Sequence, residues 1–368
     1  MRLAFSVRTT DGATSARTGT LITPHGVVDT PAFMAVGTYG AVKGIGAQDL
    51  EAIGAQIILA NAYHLAERPG AERIRDLGGL HRFMGWHGPI LTDSGGYQVM
   101  SLAERRRIDD DGVSFHSPLD GQVRRLTPES VIDVQAALGV DIAMVLDECV
   151  AEPAERDTVS AALERSQLWA ERCRPLAERL SGGLFGIVQG GVFPDLRAAH
   201  AERLVALQFD GYAIGGLSVG ESKEQTWSAL KAATLGLPTD RPRYVMGMGT
   251  PDDLIEAVSY GVDLFDCVLP TRHARNGVAF TSRGRITIRH RKYADDARPL
   301  DDACCCPTCR RYSRAYLRHL KLRREMLAGV LMTLHNLWYY LDTMRAIRQA
   351  IASGTFAGLR AETASSGS

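Results

Sequence analysis

Membrane-spanning segments are the first thing missing from this chain: no apolar run approaches the roughly 20 residues that a helix needs to cross a bilayer. The opening Met1-Arg-Leu-Ala-Phe-Ser-Val-Arg8 is too poor in apolar residues for a signal peptide, so a cytoplasmic protein is expected. Seven cysteines, an odd number, and no secretory leader argue against a disulfide framework. A dinucleotide fingerprint is also lacking. Gly247-Met-Gly249 runs into Thr250-Pro-Asp-Asp253, which reads as a helix start with Thr250 as N-cap and Pro251 at the first helical position. Only 4 Trp are present, which speaks against the aromatic platforms of a sugar-binding hydrolase. Neither sign of charge prevails overall, with 42 basic and 42 acidic residues.

That balance hides an asymmetry. Between Arg272 and Arg324 stand 15 Lys or Arg against 4 Asp, so the rest of the chain is acidic. A basic block on an acidic body is the electrostatic footprint of a polyanion site, although a single Arg-rich helix is usually only a solvated face. Here the block spans fifty residues and starts six residues after Asp266, which favours a nucleic acid.

Eight short apolar or β-branched runs recur, most with helix-like segments between them: Ala32–Val36, Gln56–Ala60, Pro89–Thr92, Asp141–Leu146, Leu184–Val188, Tyr212–Ile214, Tyr244–Met246 and Asp263–Phe265. Nearly every one runs into Gly or a polar residue. Such alternation predicts a parallel sheet, and eight units predict an α/β fold of (β/α)8 TIM-barrel type with its site at the strand carboxyl ends. Helices are expected over Thr127–Leu138, Glu155 to about Leu180, Asp195–Leu207, Lys223–Leu235 and Asp252–Tyr260. The predicted division is an N-terminal β lid over 1–30, the barrel over 31–271, and a basic zinc-binding subdomain with closing helices over 272–353. A tail over 354–368 completes it, disordered from Glu362. A hairpin is predicted from Val113–Ser117 and Gln122–Arg124, and two late helices over roughly Arg310–Leu327 and Leu334–Ser353.

Two aspartates follow apolar runs directly: Asp93 in Gly88-Pro-Ile-Leu-Thr-Asp-Ser-Gly-Gly-Tyr97 and Asp266 in Val262-Asp-Leu-Phe-Asp-Cys-Val-Leu-Pro-Thr-Arg272. Converging, such a pair provides one carboxylate to attack and one to move a proton. Asp93 could alternatively cap the next helix, and Asp147 in Leu146-Asp-Glu-Cys149 could be structural. Gln189-Gly-Gly191 and Gly215-Gly-Leu-Ser-Val-Gly-Glu221 add an amide and bare backbone N–H groups, a set suited to the edge of a flat heterocycle. Tyr97 and Met246 could close over its two faces. Cys304-x-Cys306-x2-Cys309, then His335 after 25 residues, gives three thiolates and an imidazole, a closed tetrahedral set for a structural zinc. Cys305 could replace Cys304 or Cys306 in it.

At these residues the sequence resembles the bacterial tRNA-guanine transglycosylases. The resemblance covers nearly the whole chain and rests on Leu91-Thr-Asp-Ser-Gly-Gly-Tyr-Gln-Val-Met100, Gly186-Ile-Val-Gln-Gly-Gly191, Ile214-Gly-Gly-Leu-Ser-Val-Gly-Glu221, Phe265-Asp-Cys-Val-Leu-Pro-Thr-Arg272 and the zinc set. It implies a barrel with an inserted zinc subdomain that exchanges guanine at the tRNA wobble position of G-U-N anticodons for 7-aminomethyl-7-deazaguanine, on the way to queuosine. Asp266 would then be the nucleophile and Asp93 the general acid/base. Asp147, Cys149, Gln189 and Gly216 would read the purine edge, with Tyr97 and Met246 sandwiching the ring. Leu217 and Glu221 would serve the aminomethyl group, and Arg272 and Arg275 the RNA. Cys304, Cys306, Cys309 and His335 would hold one zinc per subunit of a homodimer. A glycoside hydrolase and a non-catalytic RNA-binding partner are the competing readings; retention of both aspartates speaks against the second.

Overall fold

A computed structural model of the chain describes residues 3–100 and 106–366. It begins with a three-stranded antiparallel sheet of β1 (Ala4–Thr10), β2 (Arg17–Thr23) and β3 (Gly26–Thr30). Then come β4 (Ala32–Gly37), β5 (Ile58–Asn61) and β6 (Ile90–Asp93). A second antiparallel sheet intervenes, made of β7 (Arg106–Asp109), β8 (Gly112–His116) and β9 (Val123–Leu126), so the expected hairpin gains a strand. After it follow β10 (Ile142–Met144), β11 (Gly183–Val188), β12 (Gly211–Ile214), β13 (Arg243–Val245) and β14 (Leu264–Cys267).

All eight predicted runs are strands of one closed parallel barrel, in the order β4-β5-β6-β10-β11-β12-β13-β14, with β14 returning to β4. Burial on both faces demands unbroken apolar strands, and β5, β11 and β12 are buried at every residue. Register sets the rim: Asn61 pairs with Asp93, and Asp266 with Met34.

The connecting helices start where polar caps are available. Thr127 and Thr250 each accept from the third helical N–H at 3.2 Å, each ahead of a proline at the first helical position. The long helix expected from Glu155 is two pieces, Arg156–Cys173 and a 3-10 turn over Arg174–Arg179. Pro175 has no N–H to continue the α ladder, and the tighter turn follows.

At the barrel floor the first sheet is tied down by buried ions. Arg17 donates Nε to Asp263 Oδ1 at 3.0 Å and Nη2 to Oδ2 at 2.6 Å, and bonds the Thr239 carbonyl at 2.6 Å. Asp141 accepts from the main chain of His25 at 3.0 Å and Ile90 at 2.8 Å, and lies 2.9 Å from a ring nitrogen of each of His25 and His81.

Beyond β14 the chain forms a short helix (Leu269–Asn276), the hairpin of β15 (Val278–Thr281) and β16 (Gly284–Thr287), and helices over Pro307–Arg311, Arg314–Leu322 and Met326–Ala352. The helix predicted over Arg310–Leu327 is therefore broken. Ser313 caps the second piece by accepting from Tyr316 N at 3.2 Å. The one predicted from Leu334 starts earlier, at Met326, and runs 27 residues. It joins two cores: Met332 packs around the cysteines, while Tyr340 and Met344 pack with the barrel. Tyr340 Oη donates to the Gly249 carbonyl at 2.6 Å. The tail expected to be disordered from Glu362 is corrected as far as Ser366, since Phe356–Ser366 is helical; Gly367 and Ser368 lie outside the described residues. Phe356 is wholly buried and anchors that helix. No helix among the described residues is long and apolar enough to cross a membrane.

Candidate active site

Asp93 closes β6 and Asp266 lies one residue before the end of β14, so both reach the same carboxyl-end mouth. Asn61 Nδ2 donates to Asp93 Oδ2 at 2.6 Å, and the Ala62 N–H to Oδ1 at 3.2 Å. Burial pushes the Asp93 carboxyl up to about 7, and the charges of Asp266 and Asp147 add to that against the N–H groups of Ala62 and Gly95. Its proton is thus poised near neutrality. Asp266 Oδ1 accepts from Tyr244 Oη at 2.6 Å and from Gly247 N at 2.7 Å. Burial raises this carboxyl too, but both donors favour its ionised form.

Asp147 lies three residues beyond β10 and is buried. Gln189 Nε2 donates to its Oδ2 at 2.6 Å and Ser94 Oγ lies 3.4 Å from Oδ1. Burial raises it to about 6, and these two donors oppose the shift. Gln189 is itself seated by a bond from its N–H to His200 Nδ1 at 2.9 Å, and burial holds the imidazole of His200 down at about 4. Next to it, Gly216 turns with φ +62°; a Cβ there would stand 2.4 Å from Gln189 Oε1. Only glycine permits both that turn and that contact. Leu217 is buried. The Ser218 and Val219 N–H groups donate to the Glu221 carboxylate, which turns the Leu217 carbonyl away from Glu221 because the peptide is trans. Cys149 is half-buried, and burial pushes its thiol up to about 12, so it stays protonated.

Tyr97 projects at the rim, 59 % exposed, and Met246 is half-buried against the barrel core. Arg272 and Arg275 are exposed on the helix directly after β14. Arg275 also lines, with Arg289, Lys321 and Arg324, an open basic cavity of about 640 Å³. The structure therefore brings Asp147, Gln189 and Gly216 and the two aspartates to one end of the barrel and places Arg272 and Arg275 on the helix after β14.

The cysteine cluster has the spacing of a zinc site. Sγ of Cys304, Cys306 and Cys309 lie 3.7, 3.5 and 3.2 Å from His335 Nδ1. A tetrahedral ion with bonds of about 2.3 Å to sulfur and about 2.0 Å to nitrogen needs ligand separations of about 3.5 Å. His335 Nε2 lies 2.7 Å from the Phe280 carbonyl, which fixes the proton there and frees Nδ1 for a metal. Cys305 is exposed and outside the set. These four residues could hold a metal ion, and four protein ligands leave no open position.

Two residues of the site escape a reading of the sequence. Tyr244 lies in a strand as an ordinary apolar position, and nothing local shows that its hydroxyl reaches across to Asp266. Arg197 left a fainter sign: it shares a helical face with Ala201 and Leu204, both buried, where a charged residue is out of pattern.

Two recessed carboxylates at one barrel mouth, one poised to trade a proton and one held by two donors, are the equipment of a glycosyl-transferring enzyme. Sequence comparison narrows that class. Residues 11–367 match the family model described as Queuine tRNA-ribosyltransferase. A Queuine tRNA-ribosyltransferase of Syntrophobacter fumaroxidans is 55 % identical over 352 residues, covering 96 % of this chain and 94 % of the relative. Those of Moorella thermoacetica and Koribacter versatilis are 53 % and 51 % identical, covering 96 % of this chain and 94 % and 95 % of their own length. The chain belongs to this family, the pentosyltransferases that are tRNA-guanine transglycosylases.

Proposed function

We propose that the protein exchanges guanine at the wobble position of G-U-N tRNAs for 7-aminomethyl-7-deazaguanine, in queuosine biosynthesis, and does so in the cytoplasm as a homodimer. One observation carries the reading. Asp93 and Asp266 share a mouth with an Asp147–Gln189–Gly216 wall whose acceptor, amide and N–H suit the edge of a guanine-like base.

Asp266 attacks the anomeric carbon as guanine departs, forming a ribosyl ester, and Asp93 donates the proton that the leaving base needs, directly or through water. The incoming deazaguanine gives a ring N–H proton to Asp93 and displaces Asp266. Two inversions restore the configuration. An Asp93 carboxyl near 7 suits both proton transfers. Bonds broken and made are alike, so the exchange needs no ATP. Asp147, Cys149, Gln189 and Gly216 read the base, and Tyr97 and Met246 cover its faces and exclude water. The Leu217 carbonyl, set by Glu221, accepts from the aminomethyl group. Arg272 and Arg275 hold RNA beside the exchanged nucleotide. A structural zinc on Cys304, Cys306, Cys309 and His335 ties the basic subdomain to the long C-terminal helix.

The test is incorporation of radiolabelled guanine into unmodified G-U-N tRNA by the purified protein without ATP. Label that is chased out by 7-aminomethyl-7-deazaguanine is expected, as is an RNA adduct that survives denaturation in the parental protein and is missing in Asp266→Asn. Retention of tRNA without labelling would overturn the reading in favour of a non-catalytic RNA-binding partner.

A further inference from the structure

Arg197 is wholly buried, and no carboxylate among the described residues bonds it. Its guanidinium holds main-chain carbonyls instead: Nε donates to Gly191 at 2.8 Å, Nη1 to Val188 at 3.2 Å and Gly215 at 2.7 Å, and Nη2 to Gly216 at 2.9 Å. Those four carbonyls belong to the ends of β11 and β12 and to the glycine turns that follow them. Burial lowers the group only to about 10, so it stays charged at neutral pH.

The direction of these bonds has a consequence in the pocket. In a trans peptide the N–H points opposite to the carbonyl. With the Gly215 and Gly216 carbonyls turned onto Arg197, the N–H groups of Gly216 and Leu217 face away from it. Gln189, in the other turn, is set by the Val188 and Gly191 carbonyls on either side, held by the same cation. A lysine could do this only in part, because its compact ammonium keeps the charge and three donors but has no fork to span two strands.

We propose that Arg197 is the positioning residue of the base site: one buried guanidinium aligns the peptide planes of both glycine turns, so that the Gly216 N–H and the Gln189 amide meet the purine already oriented. The proposal rests on the guanine-exchange reading above and adds to it the device that preorganises the base edge.

The experiment compares Arg197→Met and Arg197→Lys with the parental protein, measuring guanine KM and kcat, tRNA Kd by filter binding, and thermal melting. Removing the guanidinium is expected to raise guanine KM roughly 10- to 100-fold, the scale of one charge-assisted hydrogen bond. The tRNA Kd should stay within about twofold, because the RNA contacts lie on other elements, and Arg197→Lys should recover part of the loss. A folded Arg197→Met whose guanine KM matches the parental value would overturn the assignment. So would parallel losses of guanine and tRNA binding, or failure of both variants to fold, which would leave Arg197 a role in the core alone. A parental protein that exchanges no guanine sinks the function itself; parental exchange with an unaffected variant sinks only the role of Arg197.

Discussion

The phenol of Tyr244, on β13, donates to Asp266 Oδ1, on β14, at 2.6 Å. Burial and the neighbouring carboxylate hold the Tyr244 proton on its oxygen well past the ordinary range of a phenol. The bond therefore stabilises the ionised form of Asp266, the form that the proposed attack on the ribose requires.

Tyr244→Phe removes that donor and leaves the Gly247 N–H alone. A hydrogen bond to a charged group contributes about 1.5–3 kcal/mol, so the Asp266 carboxyl should rise by about one to two pH units. The acid limb of the kcat/KM profile for guanine exchange is expected to move upward by that amount. An unmoved limb would remove Tyr244 from the role.

Asp93 makes the opposite kind of pH dependence, in stability. Its folded value of about 7 lies above the ordinary 3.8, so its cost to the fold is absent below about pH 4 and complete above about 7. Asp93→Asn has no charge to bury. The variant should gain melting temperature relative to the parental protein at pH 8, less than half of that gain should remain at pH 5, and little or none below about pH 4. Equal differences at pH 8 and pH 5 would mean that Asp93 is not perturbed by burial.

Gly216→Ala should cripple base binding without touching RNA binding. The added Cβ would stand 2.4 Å from Gln189 Oε1 at a φ of +62°, so the turn or the glutamine must shift, and the Gln189–Asp147 bond at 2.6 Å with it. Guanine KM is expected to rise about tenfold or more, with tRNA Kd unchanged. Parental KM would show that the glycine turn does not face the base.

Zinc content should follow the geometry of the cluster rather than the count of cysteines. Cys306→Ser is expected to lose bound metal and several degrees of melting temperature, since the buried set joins a hairpin carbonyl, a short helix and the 27-residue helix. Cys305→Ser should retain one metal per chain by elemental analysis. Loss of metal in the second variant would reassign the ligand set.

Affinity for tRNA should fall steeply as salt rises from 50 to 200 mM, because phosphates meeting the basic block release counterions. Arg275→Ala should flatten the slope of log Kd against log salt by about one unit. A slope unaltered by the substitution would place the RNA elsewhere.

Much of this protein follows from the order of its residues alone. Each barrel strand is a local apolar run such as Leu184–Val188, and nearly every run leads into a Gly or polar residue at or near the strand's end; both signals depend on neighbours in sequence. Asp93 and Asp266 were legible for the same reason, standing where such runs stop. The cysteine–histidine set was legible from spacing, because a metal knuckle is short. What the order of residues leaves open is everything that depends on barrel closure and on direction. The Tyr244–Asp266 bond spans 22 positions and exists only because β13 and β14 are neighbours in register. Arg197 gathers carbonyls from two loops that meet only when helix and strands pack. The exclusion of Cys305 is decided by which way one side chain points from a turn, and the early start of the 27-residue helix by its packing against two cores at once. Local pattern specifies elements and their ends; long-range closure decides which polar groups face each other, and the chemistry depends on those pairings.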